Sequence, residues 1–350
     1  MKRSRSVFEH PPVEEKSDPP SPTQETKREP PTLLETKNGH PRDPYIEFDE
    51  PSHTYTIHGQ GGYTSVTGVK ALYFDKFNAR AVAENMVKNP KFVKNKKYTH
   101  LLHDSPSHEE IVEKLIQSWE ENGQIQSSLG TKVHEFIENY YNEVEQTVPE
   151  ECAKELSFFD EFKVLMQTKN MQPYRTEWRI YDEETRVCGT IDMIYYNPVT
   201  QTYHMVDWKR SKKISSYGFR RYGHGPCSSL QDCNLSHYTL QLNIYKYIIE
   251  KHYGIAIYDM ALAVFHPNQS TYQYIPLLDV QHIVQNIMRE MAERQVSLTT
   301  QEPQLQEDET QRSGQQADET QPSGQTQPSG EADDPQEEEL PQTTGPMFFQ

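Results

Sequence analysis

"GTIDMIYYNPVTQTYHMVDWK", residues 189–209, is the stretch on which the fold turns. Two runs with the character of β-strands, 186–196 and 202–209, flank NPVTQ, which reads as a hairpin turn. On the first run Thr190, Asp192 and Ile194 share a face; on the second, Tyr203, Met205, Asp207 and Lys209 do. Adjacent antiparallel strands bring Asp192 and Asp207 together if the register cooperates. Two carboxylates side by side on a buried sheet repel each other and resist desolvation unless a cation lies between them. Hard oxygen ligands suit Mg2+ or Mn2+. Lys209 projects to the same side, where an ammonium can neutralise charge on a phosphate or position a water. The ordinary alternative is a plain Asp207–Lys209 ion pair, worth little if exposed.

Working outward, residues 45–58 alternate as strand, GQGG turns, and YTSVT gives a second strand and a helix start. Helices are expected over 68–88, 108–122, 127–144, 151–168, 237–254 and 279–295, and further strands over 256–265 and 271–276. In 127–144, Val133, Phe136, Ile137 and Tyr140 form the buried stripe, and His134 lies at its edge with Glu138 and Tyr141. A lone His there is more often structural than a ligand. A zincin helix is excluded, because HExxH needs His where Glu138 stands. In 237–254, Gln241 and Tyr245 are i, i+4 neighbours beside a stripe of Leu240, Ile244, Tyr247 and Ile248. No GxxxxGK[ST] occurs, so no nucleotide-driven motor is encoded.

Four short motifs now stand in order: GTKVH (130–134), GTID (189–192), DWK (207–209) and QLNIY (241–245). Together they resemble the GxxxH, GxxD, (D/E)xK and QxxxY motifs of the RecB-like branch of the PD-(D/E)XK nuclease superfamily. The resemblance covers about 127–250, roughly half of the expected folded body. It implies an α/β fold with a restriction-endonuclease-like core, a mixed central β-sheet flanked by helices. It implies Asp192 and Asp207 as metal ligands helped by the Trp208 carbonyl, Lys209 as the catalytic lysine, and His134 as a further ligand or substrate-end contact. Glu177, in RTEWRIY, matches a frequently acidic position. Gln241 and Tyr245 would line the active site and contact a nucleic-acid strand. The implied activity is Mg2+- or Mn2+-dependent hydrolysis of DNA that leaves a 5′-phosphate, as an exonuclease acting on ends or single strands. A structure-selective endonuclease on the same fold and a non-catalytic recombination or repair scaffold are the alternatives. Some RecB-like nucleases carry a four-Cys iron–sulfur cluster, with one Cys before the His motif and three after QxxxY. No Cys stands in either place here, so no cluster is expected.

Charge is unevenly spread. The net charge is −17, yet residues 301–350 carry twelve acids and one Arg, and residues 1–44 balance eight acids with eight bases, which leaves about −6 for the rest. The Pro-rich 1–44 segment and the Gln/Pro/Ser-rich acidic 298–350 segment are poor core material and read as disordered, with a folded body over 45–297. Within the body, 207–221 holds six Lys/Arg against one Asp, and Arg210, Lys212, Lys213, Arg220 and Arg221 are the candidate DNA contacts. Residues 86–98 hold five Lys and no acid, a pattern whose ordinary meaning is a solvated face. The four Cys, at 152, 188, 227 and 233, show no CxxC pairing and read as reduced thiols, with Cys188 in the core. No 18-residue apolar run and no secretory signal occur, so membrane insertion and secretion are not expected. An intracellular protein is expected, and KRSR at 2–5 is compatible with nuclear import. Lacking a motor of its own, the chain is a candidate to work with a separate helicase or recombination protein.

Overall fold

The computed structural model describes residues 32–103 and 107–297. The expectations for 1–31 and 298–350 lie outside them. In chain order the elements are α1 (Leu33–Lys37), β1 (Ile46–Asp49), β2 (Thr54–Ile57), β3 (Thr64–Ser65), α2 (Val66–Ala71), α3 (Ala79–Lys88), α4 (His108–Tyr141), α5 (Ala153–Thr168), β4 (Gln172–Asp182), β5 (Val187–Asn197), β6 (Thr202–Lys209), α6 (Asn234–His252), β7 (Ile257–Val264) and β8 (Gln273–Pro276). A last helix, α7, covers 281–297.

β1 and β2 pair as a small hairpin. The other six strands form one mixed sheet in the order β3-β5-β6-β7-β8, with β4 on the remaining edge of β5. Side chains alternate across it. Met193, Tyr195, Val206 and Trp208 point into a core with Phe158, Phe159 and Phe162 of α5 and Val133 and Ile137 of α4. Ile194, Met205 and Leu262 point into the opposite core, with α6, α2 and α7. The result is an α/β fold with helices on both faces of a mixed central sheet, as expected.

The expected hairpin forms, and its register pairs Met193 with Val206 through to Asn197 with Thr202. β3 pairs with the other end of β5, at Val187 and Cys188. Because β4 fills one edge of β5 along its length, β3 and β6 must share the other. They leave Gly189–Asp192 between them without a partner strand, so the sheet opens at the GTID motif.

Several boundaries differ from the sequence reading. Residues 32–44, expected to be disordered, pack against the body. Leu34 is buried, its N–H donates to Asn142 Oδ1 (3.0 Å), and Asp43 receives Arg175 (2.7 Å) and Trp178 Nε1 (2.9 Å). A Pro-rich composition hid these specific anchors. The helix expected over 68–88 is two, because Asn78 caps a new start by accepting from Ala81 N (3.0 Å). The two helices expected over 108–122 and 127–144 are one of 34 residues. It opens on a capping box, with Ser107 and Glu110 satisfying each other's backbone N–H. It contains no Pro, and Gly123 and Gly130 cost only about 1 kcal/mol each. β4 was not expected. Pro173 disguised it, but β4 pairs on one side only, where Pro is tolerated, and its register shifts at Pro173/Arg175.

Candidate active site

Three carboxylates stand in one row across three neighbouring strands. The pairs Thr176↔Met193 and Trp178↔Ile191 bracket Glu177 and Asp192, so these face each other across β4 and β5. The ladder that ends at Met193↔Val206 brings Asp207 opposite Asp192 on the next step. There β6 leaves β5 to continue beside β7, with Trp208 opposite Ala263. Asp192 fills the break: its Oδ2 accepts the Trp208 N–H at 2.8 Å. Glu177 has φ +42°, a left-handed backbone in the middle of a strand. Such strain costs about 1–3 kcal/mol and persists where surrounding structure enforces it.

His134, from the base of α4, completes the cluster. Its Nε2 lies 3.0 Å from the Trp208 carbonyl oxygen, which can only accept, so Nε2 carries the proton. Nδ1 then faces Glu177 Oε1 at 3.7 Å and Asp192 Oδ2 at 3.6 Å. One ligand atom from each of His134, Glu177 and Asp192 lies within 4.8 Å of the others. Two carboxylate oxygens and an imidazole nitrogen whose other N–H is fixed by a carbonyl could together hold a divalent metal ion. Glu177 thus belongs to the group. The Trp208 carbonyl, expected to help hold the ion, accepts from His134 Nε2 and so orients the imidazole.

Asp207, the other expected ligand, has partners of its own. Its Oδ2 pairs with the Lys209 ammonium, and its Oδ1 receives Gln241 Nε2 at 3.4 Å. Gln241 Nε2 also lies 3.4 Å from the Tyr245 hydroxyl. Both α6 residues are buried, which rules out ordinary helix surface. Tyr245 packs so closely on Gly189 that it braces the site; its ring is not available for strand contact. The Asp207–Lys209 pair is also buried, with side chains 3% and 17% exposed, so it is no solvated surface bridge.

The electrostatics follow from crowding like charges in a dry place. Burial and the neighbouring Asp192 push Asp207 up to about 6, and burial raises Asp192 against the pull of His134 and Lys209. Burial alone would lower His134, but Asp192 and Glu177 raise it to about 9. Burial likewise opposes the Lys209 charge, and Asp207 and Asp192 overcome it and hold that ammonium well above its ordinary range. In this arrangement an imidazolium and an ammonium supply the positive charge among the acids.

One residue escaped the sequence reading. Lys70, in the last turn of α2, is half-buried. Burial and the nearby Lys209 charge push its amine down to about 8, against the pull of Asp207. No motif marks it; only the packing of α2 beside β5 and α6 brings its charge to the site.

Of the expected DNA contacts, Arg210 is corrected. Its guanidinium is buried, donating from Nε to Glu155 Oε1 at 2.7 Å and from Nη1 to Gln126. It locks the end of β6 to α5 and α4. Arg221 pairs with Asp232, which also meets His237 at 2.9 Å, so its charge serves the loop. Lys212, Lys213 and Arg220 are exposed. All four cysteines are free and buried, with Cys188 in the core as expected.

No family model matches the chain, and no curated protein does. One solved structure, "Crystal structure of SSO0001", is 18% identical over 41% of this chain and 57% of that one, with a TM-score of 0.22. A likeness that weak carries no argument about fold or function.

Proposed function

We propose that the chain hydrolyses DNA phosphodiester bonds with Mg2+ or Mn2+, as a nuclease similar to the RecB-like PD-(D/E)XK enzymes, acting on ends or single strands. The observation that carries this reading is the row Glu177–Asp192–Asp207 on adjacent strands, with His134 at one end and Lys209 at the other. Three acids in a row with two cations beside them are costly for stability alone, and such perturbed groups gather where chemistry is done.

His134, Glu177, Asp192 and Asp207 would hold the ion, which when bound polarises a phosphate oxygen and acidifies a water. Lys209 stays an ammonium at neutral pH, so it serves as a hydrogen-bond donor to water or phosphate and not as the base. Gln241 and Tyr245 hold Asp207 in place from behind. In the reaction, water oxygen bonds to phosphorus as the water gives up a proton to solvent, the P–O3′ bond breaks, and the departing oxygen takes up a proton, so one water is consumed per bond cleaved. The product ends are a 3′-hydroxyl and a 5′-phosphate. Among the described residues no helix is long and apolar enough to cross a membrane.

The test uses end-labelled linear and circular DNA with Mg2+ or Mn2+. Hydrolysis of linear but not circular DNA, abolished by Lys209→Ala, is expected. Hydrolysis that survives Lys209→Ala, or none with either metal, overturns the proposal.

A further inference from the structure

α4 belongs to two cores. Its C-terminal part buries Val133 and Ile137 against the sheet, and its N-terminal part buries Ile111, Val112 and Leu115 in a separate cluster with Ala83 and Val87 of α3 and Phe92, Tyr98 and Leu101 of the following 3-10 turns. Between Leu115 and Val133 the helix fully buries no residue, though Ile116 and Trp119 still pack on the N-terminal cluster and Leu129 on the sheet-side core. At 1.5 Å per residue, Leu115 and Val133 stand about 27 Å apart along the helix axis. The N-terminal cluster is therefore an arm held on α4 away from the sheet core, with its own small hydrophobic interior.

The arm adds nothing to the sheet core, and its charges are sorted: the acids lie on α3 and α4, where Glu84, Glu109 and Glu113 meet Arg80, while residues 89–98, between those helices, carry lysines without acids. Lys88, Lys91, Lys94, Lys96 and Lys97 are all exposed, and 86–98 contains no acid. Lys88 lies 3.9 Å from Glu84, and Lys97 sits over the Tyr98 ring. The ammoniums of Lys91, Lys94 and Lys96 meet no carboxylate among the described residues. A chain that is acidic overall thus keeps an unneutralised cationic surface on a projection whose base carries His134. Like charges gathered without counter-charges repel one another, and a polyanion relieves that repulsion by binding and releasing its counterions.

We infer that the arm is a second contact for the DNA backbone, engaging phosphates well away from the strand position at the His134–Asp192–Lys209 site. This rests on the proposed nuclease reading for the identity of the polyanion. At 3.4 Å per phosphate along one strand of a duplex, 27 Å corresponds to about eight base pairs. A short duplex seated at the site does not reach the arm, and a long one does.

The experiment measures binding by the full chain, without divalent metal, to DNA hairpins with stems of about 5 and about 24 base pairs as salt is varied. Wild type is compared with the quadruple variant Lys91→Gln/Lys94→Gln/Lys96→Gln/Lys97→Gln and with the corresponding Lys→Arg variant; circular dichroism confirms the fold of each. At about 0.9 per phosphate contact, the Gln variant should reduce the log–log salt slope for the long stem by about 3–4, while the Arg variant keeps it. The short stem should bind all three proteins alike. An unchanged slope in a folded Gln variant overturns the inference, and so does equal loss on both stems. Vesicles rich in phosphatidylserine form a parallel arm: a lysine-dependent association with them, with no change on DNA, assigns the surface to a membrane and also overturns it. If the slope falls as expected but wild type hydrolyses no DNA with Mg2+ or Mn2+, the arm stands and the nuclease reading falls.

Discussion

Gly189→Ala tests whether the first residue of GTID is there for packing. A Cβ at that position would sit 2.7 Å from Tyr245 Cε1, and 3.3 Å from both the Tyr245 hydroxyl and Val66 Cγ2. Carbon atoms pack best at about 3.5–4.0 Å, so something must move by close to 1 Å. Little gives way easily: Val66 is fully buried, and Tyr245 is buried on a helix packed along its length. Overpacking of this kind costs about 1–3 kcal/mol. In a body of this size each kcal/mol lowers Tm by about 2–4 °C, so a fall of about 2–12 °C is expected by differential scanning calorimetry. Hydrolysis should also fall, because a displaced Tyr245 loosens the Gln241 contact that holds Asp207. Tyr245→Leu removes the colliding ring atom, so Gly189→Ala should cost less in that background. A coupling of about 0.5–2 kcal/mol is expected from the double-mutant cycle. A Tm unchanged by Gly189→Ala, or costs that simply add, would refute the argument.

Other outcomes follow from the same geometry. Metal should stabilise the protein more at high pH than at low: His134, raised to about 9, lends stability that is full below its unfolded value near 6.5 and lost as pH rises through 9, while Asp207, raised to about 6, destabilises above that pH. Thermal shifts with Mg2+ against EDTA should therefore be larger at pH 8 than at pH 5; equal shifts would exclude displacement of these protons by the ion. Gly130, the glycine of the GxxxH motif, has nothing within 4 Å of an added Cβ, so Gly130→Ala should raise stability by up to about 1 kcal/mol, and chemical denaturation would expose a hidden contact if it falls instead. Glu155→Ala strands the buried Arg210 guanidinium and should cost about 3–5 kcal/mol by urea denaturation; a cost near zero would return Arg210 to the surface role that the sequence suggested. Lys70→Met should raise Tm at neutral pH, where the half-buried ammonium is disfavoured, and remove any fall in kcat/KM centred near pH 8; a wild-type profile still intact in the variant would separate Lys70 from the chemistry.

Parity and register explain which parts of this site the sequence could disclose. The two-residue period of a strand puts Asp207 and Lys209 on one side whatever the rest of the fold does, and NPVTQ joins two strands at a spacing that brings Asp192 opposite Asp207. Those facts are local, and the helical spacings of His134 with its stripe and of Gln241 with Tyr245 are equally local. Glu177 is different: its place in the row depends on β4, which Pro173 disguises, and on a left-handed residue that strand alternation gives no hint of. Arg210 and Arg221 fail for a related reason. Composition reports the charge of a segment but not the acid that meets each base, and Glu155 and Asp232 are 55 and 11 residues away in the chain. The continuity of α4 was hidden because Gly123 and Gly130 resemble helix ends when propensity alone is weighed. A helix anchored at both ends by separate cores absorbs two glycines at about 1 kcal/mol each, since burial at its termini outweighs that cost. The same anchoring turns the lysines of 86–98 from an ordinary solvated run into a patch held at a set distance from His134. What local pattern could not carry was the distance between two groups on one rigid helix, and that distance makes the length dependence of DNA binding a measurable consequence of the fold.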